Sequence, residues 1–219
     1  MPNIGSTRGS ENGENIREWL DLATAAGMTM AEGRRAPLEG LLPWVMNAAD
    51  GTQVVALSEL AFARQIDIRL RGRVPAYLSG LPLPLRPNRS AGMRTVRVLW
   101  LGPDEWLVTA PEGAVPELPT RIARAVADRR AAVTDLSASR AIIEIAGTRA
   151  RDLLQKGCGL DLHPRAFRAD CCAQTLFARL PVIIDQLSAA PSYRLYVRRS
   201  SARWLCEWLI DAAEEFRYG

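Results

Sequence analysis

The chain has 219 residues, 48% of them hydrophobic and 24% charged, ordinary globular usage that excludes a disordered or fibrous protein. No apolar run reaches the roughly 18 residues of a membrane span, and the N-terminus lacks the apolar core of a secretory signal, so a soluble, cytoplasmic-type chain without membrane contact is expected. The net charge of +4 would suit an acidic surface or a nucleic acid, but the basic residues are scattered, and no basic-aromatic stripe, helix-turn-helix or RNP pattern supports nucleic acid.

Residues 1–14 are polar and rich in Gly, Ser and Asn, and read as a flexible arm. Asn15 with Glu18 three residues on makes a capping box, and Trp19, Leu22, Ala23 and Ala26 share one face of a short helix that Gly27 ends. A helix of that length is marginal alone in water, so it needs a surface to lie on. The Pro-, Gly- and Leu-rich stretch from Pro37 to Gly51 reads as an irregular connector. Val54, Val55 and Leu57 signal a strand. Ile66, Ile68 and Leu70, alternating with Asp67 and Arg69, predict a half-buried one. Pro75 to Leu81 is a short helix candidate opening on proline. LPLPLRPN, at 81–88, is loop or extended, because proline removes donors and fixes φ.

Thr95–Leu101 and Trp106–Thr109 predict a hairpin with Pro103 at the first central position of a type I turn. Leu118, Ile122 and Val126 recur at i, i+4 and i+8 within a helix over 116–130. Val133–Leu136 and Ala141–Ile145 are strand-like. Gly147 punctuates, Thr148 is the expected cap of a helix to Lys156, and Gly157 is a natural C-cap residue. Cys172–Ile184 reads as one strand interrupted at Pro181. Tyr193, Leu195 and Val197 alternate with Arg194, Tyr196 and Arg198 in a partly exposed strand. Ser200 or Ser201 should cap the last helix, with Trp204, Leu205, Trp208, Leu209, Ala212 and Phe216 on its buried face. Strands joined by short turns, with amphipathic helices over them, make an α+β protein. Two packed units of antiparallel or mixed sheet follow, 36–130 and 131–219, after an N-terminal arm at 1–35.

Residues for a self-contained chemistry are sparse. His163, in LDLHPR, is the single histidine, and no GxSxG elbow accompanies it; Ser137 in DLSAS lacks the glycines. Gly157-Cys158-Gly159 follows a helix and supplies only part of a dinucleotide fingerprint. Asp104 and Glu105 sit in a turn, where Asp serves turn geometry. Cys158, Cys171, Cys172 and Cys206 form no CxxC pair, so neither zinc nor a disulfide framework is expected; of Cys171 and Cys172, one should point inward as a small hydrophobe. No catalytic, cofactor-binding or metal residue is therefore assigned.

Four stretches nevertheless go together: TVRVLWLGPDEWLVTAPEG (95–113), VTDLSASRAIIEIAGTRARDLLQKGCGLDLHPRAF (133–167), CAQTLFARLPVIID (172–185) and YRLYVRRSSARWLCEWLIDAA (193–213). In that order they closely resemble the gamma subunits of heterotetrameric sarcosine oxidase; LSELAFARQIDIRLRG (57–72) does so more weakly, and Gly159 departs from the proline of that pattern. The resemblance implies an aminomethyltransferase folate-binding-like fold. It also implies a non-catalytic role beside alpha, beta and delta subunits that hold FAD, FMN, NAD, tetrahydrofolate and zinc, and oxidise sarcosine or a related N-methyl amino acid. A stand-alone folate-binding protein of the same fold is the alternative, with Glu144 and Arg140 at tempting strand positions. For a subunit interface, the candidates are Trp19, Lys156, Cys158, His163, Pro164, Arg165, Arg198 and Arg199.

Overall fold

The structure, a computed structural model, describes residues 34–93 and 95–217. The predicted Trp19 helix lies outside them. In chain order the strands are β1 (Trp44–Asn47), β2 (Gln53–Glu59), β3 (Arg64–Leu70), β4 (Tyr77–Leu78), β5 (Leu81–Pro82), β6 (Ser90–Met93), β7 (Val96–Gly102), β8 (Glu105–Ala110), β9 (Ala131–Asp135), β10 (Arg140–Ala146), β11 (Cys172–Phe177), β12 (Leu180–Ser188) and β13 (Ser192–Arg198). Helices α1 (Leu118–Ala125), α2 (Ala150–Gly157) and α3 (Arg199–Ala213) complete the α+β architecture, with a 3-10 turn at Glu214–Arg217.

Two antiparallel sheets carry the core. The first has the order β1-β2-β10-β13-β12-β11 and the second β6-β7-β8-β3-β9, so each recruits strands from both halves of the chain. Period-two alternation assigns opposite faces of each strand. On the first sheet, Val55, Leu57, Ile143, Ile145, Leu195 and Val197 pack with Leu153 and Leu154 of α2 and Leu205 and Leu209 of α3. On the second, Ile66, Ile68, Val98, Trp106 and Val108 pack with Leu118 and Ile122 of α1. The remaining faces meet through Leu99, Leu101 and Leu107 from one sheet and Ile142, Ile183 and Tyr196 from the other. The layers thus run helices, sheet, sheet, helix. Each fully buried Leu or Ile in them contributes about 1.5–3 kcal/mol.

Arg69 and Arg198 are exposed, as a half-buried β3 and a partly exposed β13 require, but most of both strands is buried on both faces. Gln65, Asp67 and Tyr196 all lie within the interior. Their polar character signalled solvent in the sequence, but the second sheet supplies the cover.

Turn chemistry accounts for most other differences. The helix expected at Pro75–Leu81 is a two-residue ladder, β4–β5, around Ser79 and Gly80, both at positive φ. Such a pair of left-handed residues suits a tight hairpin, not a helix. The single strand expected over Cys172–Ile184 is the β11–β12 hairpin. Its break falls at Ala178-Arg179, again both at positive φ, and Pro181 sits inside β12 opposite Leu176. No Gly or Asn marks that turn. The connector at Pro37–Gly51 contains β1, which pairs only with β2 at the sheet margin. The β7–β8 hairpin forms as predicted, with Pro103 and Asp104 as its two loop residues.

The chain enters α2 and α3 on hydrogen bonds to neighbouring backbone, without side-chain caps. The N–H groups of Thr148 and Arg149 donate to the carbonyls of Gln53 and Val54 of β2, and the Thr148 hydroxyl also turns to Gln53. These bonds fix the entry to α2, which has no side-chain cap. Likewise the Arg199 N–H donates to the Ser139 carbonyl, so α3 starts ahead of Ser200 and Ser201. Its buried stripe is Ala202, Leu205, Cys206, Leu209 and Ala213, with Phe216 in the following turn; Trp204 is half exposed. Helix α1 ends at Ala125, shorter than expected, with Leu118, Ile122 and Val126 buried as expected.

Two glycines are required by close approach. Gly147 has φ +118° and a Cβ there would strike the Val54 carbonyl. Gly157 ends α2 without a left-handed cap. A Cβ on it would lie 2.6 Å from Phe177 Cζ, so the Phe177 ring needs its absence. Gly159, by contrast, has nothing within 4 Å. Gly157→Ala should therefore destabilise by about 1–3 kcal/mol through overpacking. Gly159→Ala should be neutral or stabilise by about 0.4–1 kcal/mol by restricting the unfolded chain. Urea unfolding of the two variants checks the contrast.

Candidate functional site

His163 is exposed and organises its own turn. Its N–H donates to Asp161 Oδ1 at 2.9 Å, its Nδ1 accepts the Arg165 N–H at 3.3 Å, and its carbonyl accepts the N–H groups of Ala166 and Phe167. Among the described residues no group of three or more His, Cys, Asp and Glu is placed to hold a metal ion. The four cysteines are free and buried. Burial pushes the Cys172 thiol up to about 12 and the Cys206 thiol up to about 11, which withholds the reactive thiolate. Cys171, just ahead of β11, and Cys172, its first residue, are both buried, in different clusters, where the sequence suggested that one points inward.

The segment after α2 runs along the outer side of β11. Lys156 Nζ donates to the Ala212 carbonyl at 2.5 Å, pairs with Glu215 at 2.8 Å and stands 4.2 Å from the Phe216 ring centroid. It ties α2 to the end of α3. Cys158 is buried, bridges to Phe177, and its Sγ lies 3.8 Å from Thr175 Oγ1. Phe177 in turn meets Trp208 edge to face at 5.2 Å. His163, Pro164 and Arg165 are exposed on the turn beyond. Between this turn and the loop before β6 lies a notch of about 260 Å³, lined by Pro87, Asn88, Arg89, Leu160, Asp161, Ala166, Phe167, Cys171 and Ala173.

Arg198 and Arg199 stand at the β13–α3 junction, both exposed. Arg199 Nη2 donates to the Arg35 carbonyl at 3.0 Å. Nearby Glu59 accepts the Leu38 N–H at 3.1 Å. Burial raises its carboxyl above the usual glutamate range; the Leu38 N–H and the Arg199 charge oppose this only in part. The structure thus joins Lys156, Cys158, His163, Pro164 and Arg165 along one segment and sets Arg198 and Arg199 at another junction; Trp19 lies outside the described residues.

Sequence reasoning missed the charged layer between the sheets. Arg97 on β7 crosses to the fully buried Asp185 on β12, Nη2 to Oδ1 at 2.8 Å and Nε to Oδ2 at 3.1 Å. The Ser90 hydroxyl donates to the same carboxylate at 2.5 Å, and Arg97 Nη1 reaches Asp170 at 2.9 Å. Glu144 is engaged in the same layer. Its Oε1 lies 2.7 Å from both Arg194 Nε and Nη2. Burial would lower the Arg194 guanidinium, but the Glu144 charge overrides it and holds the guanidinium well above its ordinary value. Glu144, a tempting position for a folate-binding carboxylate, is thus ion-paired within the sheet. Burial lowers Arg140, whose Nη1 has no partner. No local sequence pattern separates such residues from the exposed polar face of a strand.

A family model described as "Sarcosine oxidase, gamma subunit family" matches residues 75–215. "Sarcosine oxidase subunit gamma" of Corynebacterium sp. (strain P-1) is 38% identical over 192 residues, covering 84% of this chain and 91% of that one. The protein of the same name from Arthrobacter sp is 36% identical at the same coverage. Among solved structures, a chain of the heterotetrameric sarcosine oxidase from Corynebacterium sp. U-96 in complex with pyrrole 2-carboxylate is similar at a TM-score of 0.72 and 33% identity, covering 84% of this chain and 96% of that one. Aminomethyltransferase T of the glycine cleavage system from Bartonella henselae is similar at a TM-score of 0.55 and 12% identity, covering 79% of this chain and 55% of that one. At that identity the likeness concerns the fold alone, and it bears out an aminomethyltransferase-like architecture.

Two outcomes follow for the charges. Arg194→Met should cost about 3–5 kcal/mol by stranding the Glu144 carboxylate, and Arg194→Met with Glu144→Met should cost much less, because no charge is left unpaired. Denaturant unfolding of the single and double variants measures the difference. Folded Glu59 keeps its proton at a pH where the unfolded chain has released it. Stability therefore falls as pH rises from the ordinary glutamate range to the raised value, and the penalty is constant above it. Glu59→Gln should flatten that window while keeping the Leu38 hydrogen bond, as read by thermal unfolding between pH 4 and about 7.

Proposed function

Because this chain belongs to the sarcosine oxidase gamma subunit family, we propose that it is the gamma-type subunit of a heterotetrameric sarcosine oxidase-like oxidoreductase, a scaffold that holds partner subunits instead of carrying out the oxidation. The observation that carries this reading is the match over 96% of a chain from such a heterotetramer. The engagement of the chain's own reactive groups supports it: the imidazole of His163 is tied into a turn and the Cys172 and Cys206 thiols are kept protonated by burial.

On this reading the partners are alpha, beta and delta subunits. They hold FAD, FMN, NAD, tetrahydrofolate and zinc, which supply the oxidative demethylation of sarcosine or a related N-methyl amino acid. The complex is assigned to the cytoplasm, in keeping with four free cysteines. Residues 36–130 and 131–219 act as two units closely packed as one body, since each sheet draws strands from both. The contact surface includes the turn at His163, Pro164 and Arg165 and the junction at Arg198 and Arg199, with Trp19 on the arm at 1–35. Lys156 and Cys158 shape that surface from behind through their contacts with α3 and β11.

Co-expression with the three partner subunits tests the function. The chain should co-purify in a flavin-containing complex that oxidises sarcosine, and leaving it out should reduce the yield of assembled enzyme. A chain that stays monomeric beside soluble partners overturns the proposal.

A further inference from the structure

Strand β11 is one of the two margins of the first sheet, opposite β1. Its two ends are closed on the outer side. Arg89 bridges to Cys171, with the Cys172 N–H donating to the Asn88 carbonyl, and Cys158 bridges to Phe177, with the Ala178 N–H donating to the Gly157 carbonyl. Antiparallel pairing alternates, so the Cys172 N–H pointing outward puts the Gln174 N–H and C=O outward too. Gln174 has no backbone partner on that side among the described residues. The Gln174 side chain is turned away, its Nε2 donating to the Leu101 carbonyl. A short unpaired stretch is thus framed by two loops, with the notch beside it.

Charge around the notch is one-sided. Its wall loops carry Arg86, Arg89, Arg165 and Arg168 against Asp161 and Asp170, and Asp170 is already paired with Arg97. No carboxylate pairs with Arg86, Arg89, Arg165 or Arg168 among the described residues; Arg89 Nη1 donates only to Cys171 Sγ at 2.8 Å. The floor is apolar, from Leu160, Ala166, Phe167 and Ala173.

We propose that this notch on the β11 margin is the docking site for a short acidic segment of a partner subunit, which adds backbone hydrogen bonds at Gln174, seats one side chain in the notch and sets its carboxylates against Arg165 and Arg168. The inference rests on the gamma-subunit reading above and assigns it a place and a chemistry. Backbone pairing at a strand edge gives affinity and a flanking pocket gives selectivity. Complementary charge at the rim speeds encounter and makes assembly sensitive to salt.

The test uses the co-expressed complex. With unmodified chain assembled, Arg165→Glu with Arg168→Glu should weaken capture of the partner subunits at least tenfold at low salt and reduce its salt dependence. Arg124→Glu, on α1 over the other sheet, should leave both unchanged. Gln174→Pro, which deletes the outward donor, should also lower capture; its thermal unfolding separates loss of docking from loss of fold. Independently of any variant, hydrogen exchange should show the Gln174 amide fast in the free chain and protected in the complex. Failure of the unmodified chain to assemble removes the gamma-subunit reading and this inference together. Normal assembly with the charge-reversed variant, or an unprotected Gln174 in assembled complex, overturns the notch alone. Effects confined to self-association of the free chain also overturn it, in favour of a second copy as occupant.

Discussion

Arg97 crosses the gap between the two sheets and grips Asp185 with two nitrogens, while Ser90 donates to the same carboxylate. Asp185 is fully buried, and these donors take the place of water around its carboxylate. A bidentate guanidinium–carboxylate pair tolerates little displacement. It therefore holds β7 and β6 of one sheet in register with β12 of the other. The Arg194–Glu144 pair repeats the arrangement within the first sheet, between β13 and β10. Leu99, Leu107, Ile142 and Ile183 fill the space around these charges.

The rest of the architecture follows from that layer. With one face of each sheet committed to the other sheet, the opposite faces need cover, and the amphipathic helices supply it. Because the helices lie tight against the strands, neighbouring backbone can hold the chain where it enters them. Carbonyls of β2 hold the two residues that lead into α2, and the Ser139 carbonyl accepts from Arg199 at the start of α3. Neither helix carries a side-chain cap. The same closeness explains Gly157, whose missing side chain admits Phe177, and the link from Phe177 to Trp208 carries that contact on to α3.

Many of the polar groups hold the fold together, and they are thereby taken out of reach of the surface. Lys156 is likewise engaged. It was a candidate for contact with a neighbour, yet its ammonium is occupied by Ala212, Glu215 and the Phe216 ring. The turn that follows it keeps His163, Pro164 and Arg165 outward. Lys156 and Cys158 thus anchor the start of that segment against α3 and β11.

The sequence by itself determined the element types wherever the local signal was clean: the β-branched run of β2, the alternation of β3, the Pro103 hairpin, the α1 stripe and the punctuation at Gly147. It also determined the family, because the strings at 133–167 and 172–185 are long and ordered. Tertiary structure decided what local pattern does not encode. Whether Asp67, Glu144 or Arg194 meets water depends on whether a second sheet covers that face, and alternation reads the same in both cases. The Ala178-Arg179 turn takes left-handed conformations without a glycine to announce them, held by pairing on both sides. On α3 the large side chain of Trp204 drew the predicted stripe one position aside, while the smaller Ala202 and Cys206 are buried beside Leu205 and Leu209. The open edge at Gln174 exists only once six strands are in order, so no reading of residues 172–177 alone would place it.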